Sequence, residues 1–206
     1  MEYEEFLQRK LKTKVESGFI VSESELNGNL FDFQKFIVLR ALKAGKYAIF
    51  ADCGLGKTLM QLEWANRVST YTRKPVLILA PLAVSGQTIK EGEKFGIAVQ
   101  KYDGSNFPIQ ITNYEQLENI DCSLFSGVVL DESSILKNFT GVYKNLIIEK
   151  FSDTNYKLAC TATPAPNDLN EIGNHSEFLD VMEAPDMRMR WFVRDEGMNN
   201  YRLKGH

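Results

Sequence analysis

The 206-residue sequence is poor in the residues that build disulfide scaffolds and structural metal sites. It contains three widely separated cysteines, Cys53, Cys122 and Cys160, and two histidines, His175 and His206. An odd number of distant cysteines excludes a disulfide framework and suits a reducing compartment. Because no two cysteines form a CxxC pair and histidine is scarce, we do not expect a structural zinc site.

Long hydrophobic runs are also missing. The longest strongly apolar stretch, Val76 to Val84, is interrupted by Pro81, whereas a helix that spans a bilayer needs about 20 apolar residues. The N-terminal sequence MEYEEFLQRK has no apolar core, which excludes a signal peptide. We therefore expect a cytoplasmic protein that has no membrane partner.

The charge balance lacks a strong excess of either sign. Lys and Arg number 24, Asp and Glu number 27, and the formal net charge is -3. This balance excludes a protein that binds nucleic acid by being basic throughout, although it leaves room for a local basic face. The hydrophobic content of 44% and the charged content of 25% are typical of a globular chain, and the length suits one large domain.

What the sequence does contain is a regular alternation of short apolar runs and helical patterns. The predicted strands are Tyr47–Ala51, Val76–Ala80, Ile109–Thr112, Gly127–Leu130 and Tyr156–Cys160. The predicted helices are Tyr3–Val15, Asp32–Ala44 with Asp32 as N-cap, Lys57–Val68, Thr88–Phe95 and Gly141–Phe151. Continuous apolar strands separated by helices indicate an α/β fold, in which helices cover both faces of a mostly parallel sheet.

A glycine-rich loop joins the first predicted strand to the helix that follows it. Its sequence, ADCGLGKT at residues 51–58, is a P-loop pattern with Ala51 where the general motif has its first glycine. Glycines let backbone N–H groups turn inward around phosphate oxygens, and the helix start adds its positive dipole end. Lys57 would reach the β- and γ-phosphates, and the Thr58 hydroxyl would ligate Mg²⁺. The predicted nucleotide-binding residues of the loop are Gly54, Leu55, Gly56, Lys57 and Thr58.

An acidic pair follows a second apolar strand. Asp131 and Glu132 come directly after the buried run Gly127–Leu130, and ligands bind at the carboxyl ends of strands in such sheets. Asp131 would hold Mg²⁺, and Glu132 would orient and polarise the attacking water. An acidic strand end is common by itself, but with an upstream P-loop it indicates nucleotide hydrolysis, with Lys57, Asp131 and Glu132 as the catalytic residues.

Four further segments complete an ordered series of motifs. They are Phe33-Gln34, the run VLILAPL at 76–82, the run ITNYE at 111–115 and the run LACTATPAPNDL at 158–169. With the P-loop and the acidic pair, this series resembles the first RecA-like lobe of superfamily-two helicases. It is most similar to the Swi/Snf-type translocases on double-stranded DNA, including compact phage-type members, and the resemblance covers about residues 30 to 180.

The resemblance implies roles for the matching residues and a three-layer RecA-like P-loop NTPase fold. Gln34 would bond the adenine edge and favour ATP over GTP, the alternative being an exposed helix glutamine. Thr161 and Thr163 would couple the nucleotide state to nucleic acid, because in related folds their strand lies between the P-loop strand and the acidic-pair strand. The alternative is a simple strand-to-loop turn. The residues implied in DNA backbone contact, each of which could equally be an ordinary loop residue, are Pro81, Leu82, Thr112, Asn113 and Tyr114.

The sequence also departs from the family pattern. Ser134, which we place among the coupling residues, stands where the family has a histidine or its equivalent, and Gln87 stands where Swi/Snf-type proteins have tryptophan. No second RecA-like lobe and no arginine-finger motif follow. We expect Trp191 and Phe192 of the basic C-terminal segment to pack against the lobe while its arginines stay in solvent; the alternative is that its basic and aromatic residues contact phosphates or stack on bases.

The sequence therefore predicts three segments and one main function. Residues 1–29 form a helix and connector, 30–184 the ATP-binding lobe, and 185–206 a segment leading toward a second lobe absent from this chain. The expected function is the ATP- and Mg²⁺-binding first lobe of a DNA helicase or translocase, monomeric, in a bacterial or phage-infected cell. The alternatives are a stand-alone nucleotide-binding interaction module and another P-loop class, such as a transporter or AAA-type ATPase.

Overall fold

The computed structural model describes residues 16–137, 141–194 and 201–205. The predicted helix Tyr3–Val15 lies outside the described residues. A six-stranded sheet forms the centre, with strand order β1-β6-β5-β2-β4-β3, and every pairing in it is parallel. Its strands are β1 Lys46–Phe50, β2 Val76–Ala80, β3 Gln100–Lys101, β4 Ile109–Asn113, β5 Gly127–Asp131 and β6 Tyr156–Thr161.

The five predicted strands are confirmed within one residue at each end. They form where the sequence is continuously apolar, because a parallel strand in the middle of an α/β sheet is buried on both faces. The exception is β3, a two-residue edge strand of polar residues, which carries no hydrophobic pattern that could predict it.

Six helices surround the sheet in the described part of the chain. They are α1 Asp32–Ala44, α2 Lys57–Thr72, α3 Ser85–Lys94, α4 Val142–Lys150, α5 Ile172–Phe178 and α6 Ala184–Trp191. The predicted N-cap of α1 is wrong, because Asp32 is the first helical residue and Phe31 precedes it. The side chain of Gln34 closes this helix start by accepting a hydrogen bond from the Phe31 N–H at 2.9 Å.

Two hydrophobic clusters lie on the two faces of the sheet, because successive strand residues point to opposite sides. Ile78 and Val129 face the first cluster, which α1 and α2 cover with side chains such as Trp64. Leu77 and Val128 face the second cluster, which α4 and α5 complete with buried aromatic and aliphatic side chains. The predicted three-layer α/β architecture is therefore confirmed.

The C-terminal segment contains an antiparallel hairpin that the sequence pattern did not predict. Strand β7, Phe192–Arg194, pairs with β8, Tyr201–Leu203. Phe192 is buried as expected, but Trp191 is 40% exposed, so the predicted packing of Trp191 against the lobe is wrong. No helix in the described residues has the length and apolar character needed to cross a membrane.

Candidate functional site

The carboxyl ends of five neighbouring parallel strands meet at one edge of the sheet. The P-loop follows β1, the acidic pair ends β5, and the Thr161–Thr163 segment ends β6, which lies between them. The topology therefore brings the three predicted catalytic and coupling motifs to adjacent positions. This edge is where open α/β sheets bind their ligands.

The P-loop has the backbone geometry of a phosphate cradle. Gly54 and Gly56 have φ angles of 82° and 73°, which lie in the left-handed region that favours glycine. A Cβ at Gly56 would collide with Nε2 of Gln34, whereas one at Gly54 would meet nothing within 4 Å. Position 56 therefore needs glycine for both space and conformation, and position 54 needs it for conformation alone.

Lys57 begins helix α2 and folds back over the loop that precedes it. Its Nζ donates hydrogen bonds to the carbonyl oxygens of Ala51 at 2.7 Å and Asp52 at 3.0 Å. The ammonium group thus lies inside the concave side of the loop, held by two main-chain acceptors. Together with the N-terminus of α2, it provides positive charge at the place where the loop can hold an anion.

Gln34 connects helix α1 to the P-loop. Its side chain is only 4% exposed, and its Nε2 donates to the main-chain carbonyl of Leu55 at 2.9 Å. The alternative interpretation of Gln34 as an exposed helix glutamine is therefore wrong. The carboxamide still has one N–H donor and one acceptor lone pair beyond the two bonds it makes here.

Asp131 ends β5 next to the P-loop lysine. Burial raises the pKa of the Asp131 carboxyl above its usual value, and the nearby Lys57 ammonium partly opposes this rise. A buried carboxyl with a raised pKa gains from a cation that neutralises it. This property fits the predicted role of Asp131 as a ligand of a divalent cation.

Glu132 has a left-handed backbone conformation, with a φ angle of 59°, immediately after the strand. Its Oε1 accepts hydrogen bonds from the Thr161 hydroxyl at 2.6 Å and the Ser134 hydroxyl at 2.8 Å. The Thr163 N–H in turn donates to the Thr161 hydroxyl oxygen at 3.0 Å. Two of the residues predicted to couple, Ser134 and Thr161, therefore bind the carboxylate predicted to orient water, and the third, Thr163, binds Thr161.

The structure adds Gln61, which the sequence analysis missed. It lies one helical turn after Lys57 on α2 and is fully buried, beside the Asp131 carboxyl. Among the described residues, neither polar atom of its carboxamide has a hydrogen-bond partner. The four-residue spacing from Lys57 is the sequence feature that could have pointed to it, because such residues share a helix face.

A second missed residue, His175, supports the acidic loop from α5. Its Nε2 lies 3.1 Å from the Ser133 hydroxyl, and its ring meets Phe50 edge-on. Burial lowers the pKa of His175 to about 4, so the imidazole is neutral at pH 7. No local pattern could have found this contact, because 42 residues separate the two partners.

The residues predicted to contact DNA divide into two groups. Leu82 is 72% exposed after β2, and Pro81, Thr112 and Asn113 are half-buried at the same edge. Tyr114 is only 4% exposed, and its hydroxyl donates to the main-chain carbonyl of Asp131 at 2.8 Å. This side chain therefore points into the protein toward the acidic pair, so the predicted contact of this loop with DNA does not involve the Tyr114 hydroxyl.

Solved structures with the same fold include a SWI2/SNF2 ATPase core and a helicase. The chain is similar to the Sulfolobus solfataricus SWI2/SNF2 ATPase core in complex with dsDNA, with a TM-score of 0.70, 19% identity, and coverage of 84% of this chain and 41% of that chain. It is also similar to the UvsW helicase from Bacteriophage T4, with a TM-score of 0.61, 15% identity, and coverage of 89% and 66%. These likenesses show that the chain shares the fold of these two cores.

Curated relatives and a family comparison give the sequence relationship. A probable chromatin-remodeling complex ATPase chain of Oryza sativa subsp. japonica is 25% identical over 75% of this chain and 16% of its own length. An ISWI chromatin-remodeling complex ATPase of Arabidopsis thaliana is 25% identical over 93% of this chain and 21% of its own length. The chain thus spans about a fifth of these relatives or less. The sequence model of the SNF2-related domain matches residues 57–195, more than half of the chain, and the chain belongs to this family.

Proposed function

We propose that this chain is the ATP-binding first lobe of an ATP-dependent DNA helicase or translocase. In this proposal, hydrolysis drives movement on DNA when a second RecA-like lobe is present. The observation that carries it is the convergence of a P-loop lysine and a hydroxyl-held glutamate at one sheet edge. Membership of the SNF2-related family supports the same reaction.

The loop at residues 51–58 would bind the phosphates of ATP. The backbone of Gly54, Leu55 and Gly56 would donate its N–H groups, and Lys57 would leave its two carbonyl acceptors for phosphate oxygens. The exchange costs little, because the ammonium replaces two neutral acceptors by charged ones. Gln34 would use its remaining donor and acceptor on the adenine edge while it keeps the Leu55 carbonyl.

Mg²⁺ would be held by the Thr58 hydroxyl and the Asp131 carboxylate. When bound, the ion neutralises part of the phosphate charge. Glu132 would orient the attacking water and accept its proton. The Glu132 carboxylate has capacity for this role, because two hydroxyls occupy Oε1 and a carboxylate has about four acceptor positions on its two oxygens.

DNA would lie across the loops after β2 and β4. Pro81, Leu82, Thr112 and Asn113 are accessible there, and the Sulfolobus SWI2/SNF2 core that shares this fold is in complex with dsDNA. We expect weak binding by this lobe alone, because the net charge is -3 and phosphate contacts supply most of such affinity. The proposal extends to a monomeric lobe in the cytoplasm of a bacterial or phage-infected cell, and the T4 helicase fold offers limited support for a phage-type protein.

Titration of a fluorescent ATP analogue with Mg²⁺ tests the proposal. Lys57→Ala should lose most of the affinity and keep its fold, because the side chain reaches only main-chain oxygens of its own loop. Lys90→Ala removes an exposed lysine from α3 and is the matched control, with affinity close to that of the original chain. Equal affinity of the Lys57→Ala variant and the original chain would contradict the assignment of the P-loop.

A further inference from the structure

Tyr114 links the edge of the sheet predicted to face nucleic acid with the acidic pair. It follows β4 directly, and its phenol donates to the main-chain carbonyl of Asp131 at the end of β5. Strand β2 lies between β4 and β5, so the two strands are two spacings, or about 9–10 Å, apart. The Tyr114 side chain therefore spans the end of β2 to reach β5.

The Tyr114 side chain is fixed at both of its ends. Its ring is part of the second hydrophobic cluster, among residues that include Leu79 and Leu130. At the backbone, the Asn113 side chain accepts a hydrogen bond from the Gln116 N–H at 3.0 Å and caps the turn that Tyr114 begins. A displacement of Asn113 by a bound backbone therefore moves a side chain that is rigidly held rather than one that can change rotamer freely.

The Asp131 carbonyl, which accepts the hydrogen bond from Tyr114, belongs to a peptide group whose orientation also affects Glu132. The Asp131 carbonyl and the Glu132 N–H are parts of the same peptide unit, and Glu132 has its φ angle of 59° immediately beyond it. A non-glycine residue is held in the left-handed region only by surrounding contacts. The phenol is one such contact, and the Thr161 and Ser134 hydroxyls on the carboxylate are two more. The Glu132 carbonyl also accepts a hydrogen bond from the Ile135 N–H at 3.3 Å.

We infer that Tyr114 is a positioning residue that couples nucleic-acid contact at Thr112 and Asn113 to the orientation of Glu132. Contact of a phosphate backbone with this loop and the presence of nucleotide beside Glu132 bias the same peptide unit through one hydrogen bond. Because such coupling is reciprocal, nucleotide must change the affinity for DNA by the same factor by which DNA changes the affinity for nucleotide. This inference rests on the proposed function, since it needs both sites.

The test measures that coupling factor with Tyr114→Phe, which removes only the hydroxyl. Duplex DNA affinity is measured at low salt with and without Mg²⁺ and a non-hydrolysable ATP analogue. In the original chain, we expect the analogue to change DNA affinity at least about fivefold, within the usual range of coupling. In Tyr114→Phe, the factor should fall to within about twofold of one, while each separate affinity stays within about twofold of the original.

Two further variants guard the result. Tyr156→Phe removes the hydroxyl of a buried tyrosine at the opposite end of the sheet and should keep the full coupling factor. If Tyr114→Phe does not fold, Asn113→Ala serves instead, because it loosens the turn that carries Tyr114 and leaves the phenol in place. Asn113 is also a proposed DNA contact, so this variant lowers DNA affinity itself, and the quantity compared is the ratio of DNA affinities with and without nucleotide. This variant should also reduce the factor toward one.

The outcomes separate this inference from the proposed function. If the original chain binds neither nucleotide nor DNA, the proposed function fails and the inference fails with it. If both ligands bind but show no coupling, or if Tyr114→Phe keeps the full coupling factor, the inference is overturned while the proposed function stands. Loss of both separate affinities in a folded Tyr114→Phe protein would also overturn it, because the tyrosine would then have a general structural role.

Discussion

Two residues with carboxylate side chains, at opposite ends of the sheet, share a left-handed backbone conformation but have very different hydrogen-bond partners. Glu132 and Asp180 both have left-handed φ angles, of 59° and 53°. Asp180 accepts hydrogen bonds from Lys46 at 2.6 Å and Lys157 at 2.8 Å. Glu132 accepts from two neutral hydroxyls, and no ion pair within the described ranges involves it.

We propose that the difference separates a structural carboxylate, Asp180, from a functional one, Glu132. The charge of Asp180 is balanced by lysines at the amino ends of β1 and β6, one of them buried, so the cluster ties these strands to the chain that follows α5. The charge of Glu132 is oriented by hydroxyls without being balanced. An uncompensated carboxylate at a strand end can still attract water or a cation, which is what hydrolysis requires.

The largest expected effect concerns the rate of hydrolysis when no second lobe supplies an arginine to the site of Glu132. We predict that the 206-residue chain releases phosphate very slowly and that, at saturating ATP, where a change in nucleotide affinity no longer alters the rate, duplex DNA stimulates it less than twofold. An arginine supplied from outside a site of this kind is worth roughly 10³–10⁵ in rate, and the resemblance to superfamily-two helicases implies that a second lobe supplies it. In this structure, Arg188 and Arg190 lie against the rings of Tyr201 and Trp191.

Steady-state phosphate release with and without duplex DNA measures this. A chain extended by a second RecA-like lobe is the positive comparison and should turn over at least 10³-fold faster. Robust DNA-stimulated turnover by the 206-residue chain alone would show that it completes its own active site.

Removal of the Asp180 charge, which two lysines balance, should lower the stability of the protein and leave its activity unchanged. Asp180→Asn leaves the buried Lys157 ammonium without a counter-charge, and burial already lowers the pKa of this lysine. We expect a loss of about 2 kcal/mol in the free energy of unfolding, less than the roughly 3–5 kcal/mol of a fully buried pair, because the Asp180 side chain is 42% exposed. Urea unfolding measures this loss, and ATP-analogue affinity should not change. A weakened affinity in a folded variant would contradict the structural role of Asp180.

The pH dependence of stability should reveal the support that His175 gives to the acidic loop. The pKa of His175 falls from 6.5 to about 4 on folding, so the unfolded chain binds the extra proton between these values. The stabilisation is present above pH 6.5 and is lost as pH falls toward 4. The loss in unfolding free energy is about 2 kcal/mol at pH 5. His175→Gln should remove this part of the difference in unfolding free energy between pH 7.5 and pH 5. An unchanged difference in the variant would show that His175 is not held neutral by burial.

The smallest expected effect concerns base choice. If Gln34 binds the adenine edge, Gln34→Ala should weaken ATP binding relative to GTP binding by about 0.5–1.5 kcal/mol. Both affinities will also fall, because the variant releases the Leu55 carbonyl of the P-loop. The ratio of the two dissociation constants is therefore the quantity to measure, with the exposed Gln116→Ala as control. An unchanged ratio would limit Gln34 to holding the loop.

The sequence was informative where a local pattern has a direct physical cause. Continuous apolar runs located the five main strands, and the order of those strands then brought Lys57, Glu132 and Thr161 together. It failed where contacts join distant segments. The inward direction of Tyr114 and the contact of His175 with Ser133 depend on how β4 and α5 pack. The short hairpin β7–β8 carries too few residues for any periodicity.

The most direct test of the account compares Glu132→Gln with Asp180→Asn in one assay. Excess protein is mixed with a trace of labelled ATP and Mg²⁺, so that even slow hydrolysis is followed through a single turnover. We predict that Glu132→Gln lowers the rate of phosphate release by roughly 10²–10⁴ while it still binds the nucleotide. Asp180→Asn should hydrolyse at the original rate. Equal rates for Glu132→Gln and the original chain would contradict the claim that the uncompensated carboxylate at the end of β5 is the catalytic one.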